Sequence, residues 1–170
     1  MIDLHAHILP GLDDGSPDMD TSLRMLTIAE EEGVTDIAAT THFIPATWTQ
    51  PADAVRKALD EFRARIDKES FSIRVTAVHE IHAGAGIVER LKKDEVLPYD
   101  TKCRYILLEM PHALVPAWMN QLVTELIQAD ITPIIAHPER NRDIKRAPKI
   151  VYDLVERGCL MQITAASVLG

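Results

Sequence analysis

The sequence predicts an α/β fold in which parallel strands alternate with helices, and it favours a barrel over an open sheet. Two observations support this prediction. Short apolar runs typical of buried strands alternate with amphipathic helical runs along the chain. Histidines and carboxylates stand at the ends of five of the predicted strands. The 170 residues suffice for one domain with a hydrophobic core.

The predicted elements follow one another without an internal repeat or a linker. Strands are expected at 1–7, 35–42, 72–81, 104–110, 131–137 and 159–164. Helices are expected at 20–32, 51–67, 87–93, 116–129 and 148–157. Pro51 suits the first turn of the second helix, and Gly33 and Gly158 follow the first and last helices.

The positions of the metal-type side chains distinguish a barrel from a doubly wound sheet. They lie at or near strand ends: His5, His7, His42, Glu80, Glu109 and His137. Parallel strands bring their C-terminal ends to one face, where barrel enzymes build their sites. An open sheet gathers its ligands at one switch point instead. Ligands from five strands therefore favour the barrel.

The strongest local motif is the pair His5-x-His7. Residues two apart on a strand point to the same face, so both imidazoles can bind one metal ion. Asp14 follows in an Asp-Asp-Gly turn that leaves the same rim. Glu80 and Glu109 interrupt apolar strands, where a buried charge needs a partner or a cation. This donor set suits Mn, Fe or Zn without distinguishing among them.

Arg140 follows His137 by three residues, in the loop above the rim. A guanidinium in that position can bind a phosphate group through two parallel hydrogen bonds. The net charge of −8 argues against a nucleic-acid partner. Cys103 and Cys159 form no CxxC pair and lie in no phosphate-cradling loop, so a cysteine-nucleophile phosphatase is not expected.

Targeting signals and long apolar segments are not apparent in the sequence. No apolar run comes near the length of about 20 residues that is needed to span a bilayer. The first residues lack the basic and then apolar pattern of a secretory signal. A cytoplasmic protein without membrane insertion is therefore expected.

Several blocks resemble a known family. Residues 1–15, MIDLHAHILPGLDDG, resemble the opening of the metal-dependent protein-tyrosine phosphatases of bacterial capsule and exopolysaccharide clusters. These enzymes belong to the polymerase-and-histidinol-phosphatase (PHP) superfamily. The regions around His42, 80–81 and 107–111 are also similar, and HPERN at 137–141 is the most specific later match. The resemblance covers essentially the whole chain.

The resemblance implies a PHP-type (β/α) barrel, related to the TIM barrel, with a trinuclear centre usually supplied with Mn. The implied ligands are His5 and His7 for the first metal, with Glu80 bridging to the second; Glu109 and His137 for the second; and Asp14 and His42 for the third. Arg140 would bind the substrate phosphate as the catalytic residue. The implied partner is the tyrosine-phosphorylated tail of a bacterial kinase that controls polysaccharide export.

Family members continue into a further strand with an Asp-x-His motif and another phosphate-binding arginine, beyond the six strands predicted here. Residues 1–170 are therefore expected to form a single PHP domain that lacks the C-terminal part of the barrel. Uncovered apolar faces are expected to promote homo-oligomers. Two alternatives stay open: a PHP phosphatase acting on a small phosphomonoester such as histidinol phosphate, and an inactive fragment that binds metal or a kinase tail.

Overall fold

The computed structural model describes residues 1–169, in which strands and helices alternate as predicted. The strands are β1 (Ile2–Ala6), β2 (Asp36–Ile44), β3 (Trp48–Thr49), β4 (Arg74–His82), β5 (Tyr105–Glu109), β6 (Thr132–Ala136) and β7 (Leu160–Gln162). The helices are α1 (Met19–Glu31), α2 (Ala52–Glu69), α3 (Ile87–Lys92), α4 (Met119–Gln128), α5 (Arg142–Arg146), α6 (Lys149–Glu156) and α7 (Ala165–Leu169). A 3-10 turn, Pro138–Arg140, follows β6.

Six strands form one parallel sheet in the order β1-β2-β4-β5-β6-β7. The spatial order follows the chain order and never reverses, so this sheet has no switch point of the doubly wound kind. The two end strands approach each other, because His5 Nδ1 on β1 lies 2.9 Å from Gln162 Oε1 on β7. The sheet is a half-barrel, and the predicted barrel-type α/β fold is confirmed.

The two faces of the sheet have different chemistry. On β4, Val75 and Ile81 pack into the apolar core that lies under the helices. Glu80 has the opposite parity and points to the concave face, because successive side chains of a strand alternate between faces. His79 shares the parity of Ile81 and is fully buried on the helix side. The concave face therefore collects polar side chains while the convex face holds the core.

Several short elements, β3, α5, α7 and the 3-10 turn, could not be recognised from sequence periodicity. The two-residue strand β3 pairs antiparallel with the end of β2 and is too short to show a period. Helix α5 has five residues and begins because the Asn141 side chain accepts hydrogen bonds from the backbone N–H groups of Asp143 and Ile144. Strand β4 also runs through His82, one residue beyond the predicted end.

The two cysteines are free thiols with packing roles. Cys159 is buried in the core beneath the helices, and burial raises its pKa to about 11. Cys103 is partly buried against the same cluster, and burial raises the pKa of its thiol as well. Within residues 1–169, no helix combines the length and the apolar character needed to cross a membrane.

Candidate metal centre

Glu80 lies at the centre of a group of imidazoles on the concave face of the sheet. Its side chain is fully buried. Its Oε1 atom lies 2.9 Å from His137 Nε2, and its Oε2 atom lies 3.1 Å from both His5 Nε2 and His7 Nε2. Burial would raise the pKa of this carboxyl, but the hydrogen bonds from the three histidines outweigh it and hold the pKa far below its usual range. Glu80 is therefore a carboxylate.

The potential ligand atoms form four overlapping groups, and within each group they lie within 4.8 Å of one another. The groups are His5–His7–Glu80, His7–Asp14–His42, His42–Glu80–Glu109 and Glu109–His112–His137. All seven residues predicted as ligands belong to at least one group, and His112 joins them. Each group combines imidazole nitrogen with carboxylate oxygen, a donor set that Mn, Fe and Zn accept.

The arrangement fits cations better than it fits a closed hydrogen-bond network. His5 Nε2 and His7 Nε2 face each other at 3.1 Å, although two imidazole nitrogens share at most one hydrogen. His42 Nδ1 is buried without a properly directed hydrogen bond from the described residues, with Glu80 Oε2 3.3 Å away. These nitrogen and oxygen atoms converge although some of them lack a hydrogen-bond partner. Metal ions shared between the side chains would satisfy them.

Asp13 holds His7 in place, a role that the sequence does not single out. His7 Nδ1 donates to Asp13 Oδ2 at 2.8 Å, which leaves Nε2 directed towards Glu80. Burial would lower the pKa of His7, but the hydrogen bonds to Asp13 and Glu80 outweigh it and raise the pKa to about 10. The neighbouring Asp14 points towards His42 instead, with Oδ1 3.4 Å from Nε2. The sequence pointed to Asp14 in this turn, and the structure shows that the Asp13 and Asp14 carboxylates contact different histidines.

Gly15 allows the Asp13–Asp14 turn to lie directly against the end of β1. A Cβ atom at this position would lie 2.3 Å from both the Cβ and the backbone oxygen of His7. The backbone of Ser16 also donates to the His7 carbonyl at 3.0 Å. The glycine is therefore required by close packing, in addition to the turn preference that the sequence suggests.

Gln162 is a second residue that the sequence does not single out. His5 Nδ1 donates to Gln162 Oε1 at 2.9 Å, so His5 Nε2 is left to face Glu80. The backbone N–H of His137 also donates to Gln162 Oε1, at 3.3 Å. An amide that accepts from the far nitrogen of a candidate ligand orients the imidazole ring. Glutamine at a strand end carries no recognisable metal pattern, so no sequence signal points to it.

Glu109 lies within 4 Å of several histidines, including His82, His112 and His137. His82 Nδ1 and His112 Nε2 each lie 3.4 Å from a Glu109 oxygen, and His137 Nε2 lies at 3.8 Å. Burial would raise the pKa of Glu109, but the hydrogen bond from His82 leads the contacts that lower it. The sequence placed His82 beyond its strand, whereas it is the last residue of β4 and borders the centre.

Arg140 ends the 3-10 turn that follows His137. The backbone of His137 has φ 30°, a left-handed conformation that turns the chain sharply at the end of β6. The N–H of Arg140 donates to the His137 carbonyl at 2.9 Å. The Arg140 side chain is exposed and makes no hydrogen bond or ion pair with other residues in the described range 1–169.

Residues beside Arg140 attach this turn to the loops on both sides. Asn141 Nδ2 donates to the Pro111 carbonyl of the loop after β5, at 2.7 Å. Glu139 Oε1 accepts from the N–H and the hydroxyl of Thr164, after β7, at 3.1 and 2.9 Å. The block that the sequence identifies as most specific therefore joins the ends of three successive strands.

Comparison with known proteins supports a family assignment. The family described as "Capsular polysaccharide synthesis, CpsB/CapC" matches residues 1–170. The chain is 40% identical to the tyrosine-protein phosphatase YwqE of Bacillus subtilis over 171 aligned residues, which cover 100% of this chain and 66% of YwqE. It is 27% identical to the tyrosine-protein phosphatase CpsB of Streptococcus pneumoniae, over 99% of this chain and 69% of CpsB.

A solved structure has the same fold. It comes from crystal structures of YwqE from Bacillus subtilis and CpsB from Streptococcus pneumoniae, described as unique metal-dependent tyrosine phosphatases. The match has a TM-score of 0.95 at 38% identity and covers 100% of this chain and 68% of that one. The chain thus spans about two thirds of the length of these relatives. With the family match over residues 1–170, the predicted resemblance is confirmed: the chain belongs to the CpsB/CapC family of capsular polysaccharide synthesis.

Proposed function

We propose that this chain provides the metal centre of a protein-tyrosine phosphatase. Its reaction would be the hydrolysis of phosphotyrosine on a bacterial tyrosine autokinase, in the cytoplasm, as part of the control of capsular or exopolysaccharide synthesis. The observation that carries the proposal is the convergence of seven histidine and carboxylate side chains at one rim. The names of YwqE and CpsB as tyrosine-protein phosphatases support the reaction class.

The ligand assignment that we propose is the one that the family resemblance implies, and each assigned pair falls within one of the four groups. His5 and His7 would hold a first cation, with Glu80 bridging towards a second; Glu109 and His137 would complete the second; Asp14 and His42 would hold the third. Mn²⁺ is the cation we expect, with Fe or Zn as the other metals that this donor set accepts. Bound divalent cations supply Lewis acidity, which acidifies water and neutralises charge on a phosphoryl group.

The side chains around the ligands would keep this centre in one geometry. Asp13 and Gln162 hold the far nitrogens of His7 and His5, so both Nε2 atoms stay directed inward. Carboxylates contribute negative charge that offsets the charge of several cations. His5, Glu80 and Gln162 lie on the strands β1, β4 and β7, and the turn that carries Asp13 packs directly against the end of β1, so little reorganisation is needed when substrate arrives.

Arg140 would bind the phosphoryl group of the substrate. Its guanidinium is exposed on the turn that directly follows His137, and no described residue neutralises its charge. The planar guanidinium can donate two parallel hydrogen bonds to phosphate oxygens and stabilise the charge that grows on them during phosphoryl transfer. The phenolate of tyrosine is a fair leaving group, so this assignment does not require a strong general acid.

The test is phosphate release from a phosphotyrosine peptide and from histidinol phosphate, with and without added Mn²⁺. The matched variants are Glu80→Gln, which replaces the shared carboxylate by an amide of the same shape, and Glu31→Gln on the exposed end of α1. We expect Mn²⁺-dependent turnover of the peptide, unchanged in Glu31→Gln. It should fall by about a hundredfold or more in Glu80→Gln, because four imidazoles lose their common anionic partner.

Three outcomes would contradict the proposal in different ways. Faster turnover of histidinol phosphate than of the peptide would favour a small-molecule phosphatase. Absence of turnover at every Mn²⁺ concentration, with Mn²⁺ still bound in calorimetry, would favour a binding role without catalysis. Equal turnover by Glu80→Gln would reject the central position of this carboxylate.

A further inference from the structure

Trp48 stacks on one of the candidate ligands. The centroids of the Trp48 and His42 rings are 5.2 Å apart, and the ring planes differ by only 12°. His42 is 8% exposed and its Nε2 atom lies 3.4 Å from Asp14 Oδ1. One face of this imidazole therefore rests against an indole while its edge points to the Asp14 carboxylate.

The backbone holds Trp48 in this position. Strand β3 pairs antiparallel with β2, so that Trp48 lies opposite Ile44, two residues beyond His42. The hairpin is closed by the Thr47 N–H, which donates to the Ile44 carbonyl at 3.1 Å, and by the left-handed Ala46 with φ 68°. The two-residue strand thus returns the chain over the end of β2 and places the indole beside the metal-type side chains.

Core packing does not account for Trp48. Among the described residues, neither of the two apolar clusters under the helices includes this side chain, and it is only half-buried. Within residues 1–169, its aromatic contact is with His42. Trp48 is thus a large side chain that lies outside the core and contacts a candidate ligand. These two features indicate a role at the metal centre.

The geometry points to Trp48 as a positioning residue of the metal centre, an inference that rests on the proposed metal-dependent function. Its indole fixes the plane of the His42 imidazole and raises the affinity of the His7–Asp14–His42 group for a divalent cation. Two physical effects act in this direction. The stack removes rotational freedom from the His42 ring before a metal binds. The electron-rich indole face also attracts an imidazole that has become electron-poor by donating its lone pair to a cation.

Calorimetric titration with Mn²⁺ measures the proposed effect directly, without reference to catalysis. The variants are Trp48→Phe, which keeps an aromatic ring, and Trp48→Leu, which keeps apolar volume but cannot stack. We expect Trp48→Leu to weaken Mn²⁺ binding about two- to tenfold, the range of a single aromatic pair, and Trp48→Phe to stay within about twofold of the parent chain. The variant Trp118→Phe, at an exposed position before α4, should bind as the parent does.

Tryptophan fluorescence provides an independent readout. The chain contains two tryptophans, so Trp118→Phe leaves Trp48 as the only emitter and Trp48→Phe leaves Trp118. Saturating Mn²⁺ should quench the emission of Trp48 in the first variant, because the paramagnetic ion would bind next to the stacked imidazole. The emission of Trp118 in the second variant should change little.

The outcomes separate this inference from the proposed function. If the parent chain binds no Mn²⁺ up to millimolar concentration, the metal-dependent function and the role of Trp48 both fail. If the parent binds but Trp48→Leu binds equally well, only the role of Trp48 is overturned. Equal losses in Trp48→Phe and Trp48→Leu would also overturn it, since a stacking ring would then make no difference. If the leucine variant folds poorly, the fluorescence decides: unchanged Trp48 emission at saturating Mn²⁺ would overturn the inference.

Discussion

Asp13 connects a candidate ligand to the ends of two strands. Its Oδ2 atom accepts from His7 Nδ1 at 2.8 Å and from the backbone N–H of His42 at 2.9 Å, while Oδ1 accepts from Gly15 N–H at 3.0 Å. All three partners are donors, so both oxygens must be acceptors. Burial would raise the pKa of this carboxyl, but these contacts, led by the hydrogen bond to His7, outweigh it and lower the pKa. Asp13 therefore acts as a carboxylate that positions His7.

Asp13→Asn should weaken Mn²⁺ binding by about 10- to 100-fold, the usual cost of losing a partner that orients a ligand. An amide has one acceptor oxygen, so its NH₂ group must face either the His7 and His42 donors or the Gly15 donor. Calorimetry with Mn²⁺ measures the effect, and Asp67→Asn on the exposed face of α2 is the matched control. An unchanged affinity would mean that His7 keeps its orientation without this carboxylate.

The turn after β6 organises three neighbouring strand ends. Asn141 uses its oxygen to cap α5 and its NH₂ group to hold the Pro111 carbonyl, and it is only 3% exposed. The N–H of Arg142 donates to the His112 carbonyl at 3.0 Å, which adds a second attachment to the same loop. Together with the hydrogen bonds between Glu139 and Thr164 after β7, these contacts hold the backbone that carries the exposed Arg140 from two sides.

Asn141→Asp should lower the free energy of unfolding by about 1–3 kcal/mol, the cost of a buried polar group left without its partner. The new carboxylate still caps α5, but its second oxygen faces the Pro111 carbonyl oxygen in place of a donor. Urea denaturation measures the change, with Asn120→Asp on the exposed side of α4 as the control. If Arg140 binds the substrate phosphate, KM for the phosphopeptide should rise more than kcat falls. Stability equal to that of the parent chain would argue against the Pro111 contact.

The whole sheet is curved enough to bring its first and last strands to one centre. Ligand-type residues from β1, β2, β4 and β5, and from the end of β6, meet around Glu80, and Gln162 on β7 touches both His5 and the backbone of His137. A flat sheet in the same strand order would separate β1 from β7 by about 24 Å, at roughly 4.8 Å for each neighbouring pair. The centre therefore depends on the curvature of the whole sheet, which brings β1 and β7 together.

Gln162→Leu should weaken Mn²⁺ binding by about 10- to 100-fold because His5 loses the acceptor that sets its ring orientation. Gln162→Glu keeps an acceptor at this position and should retain most of the affinity. Mn²⁺ calorimetry distinguishes them, with Gln121→Leu on the exposed side of α4 as a control for the lost amide. Equal affinities in Gln162→Leu and the parent chain would show that β7 does not orient the centre.

The succession of strands along the chain and the identity of the candidate ligands were predictable because they depend on local patterns. Apolar runs with strand length predict β2, β4, β5 and β6, and a charged or imidazole side chain inside such a run is conspicuous since burying it is costly. The parity of residues along β4 also separates Glu80 from His79 before any contact is known. The structure brings the predicted ligands together, while their binding of metal stays a prediction.

The residues that orient the ligands could not be recognised in this way. Asp13, Gln162 and Trp48 are ordinary turn and strand-end residues whose roles arise from contacts with His7, His5 and His42. Hairpin β3 and helix α5 are too short for a hydrophobic period, and hydrogen bonds define them instead. Composition and periodicity show which reactive side chains the chain contains, because a polar side chain inside an apolar run is one whose burial costs free energy. The curvature of the sheet specifies which side chains meet, because contacts between residues as distant as 5 and 162 exist only after folding.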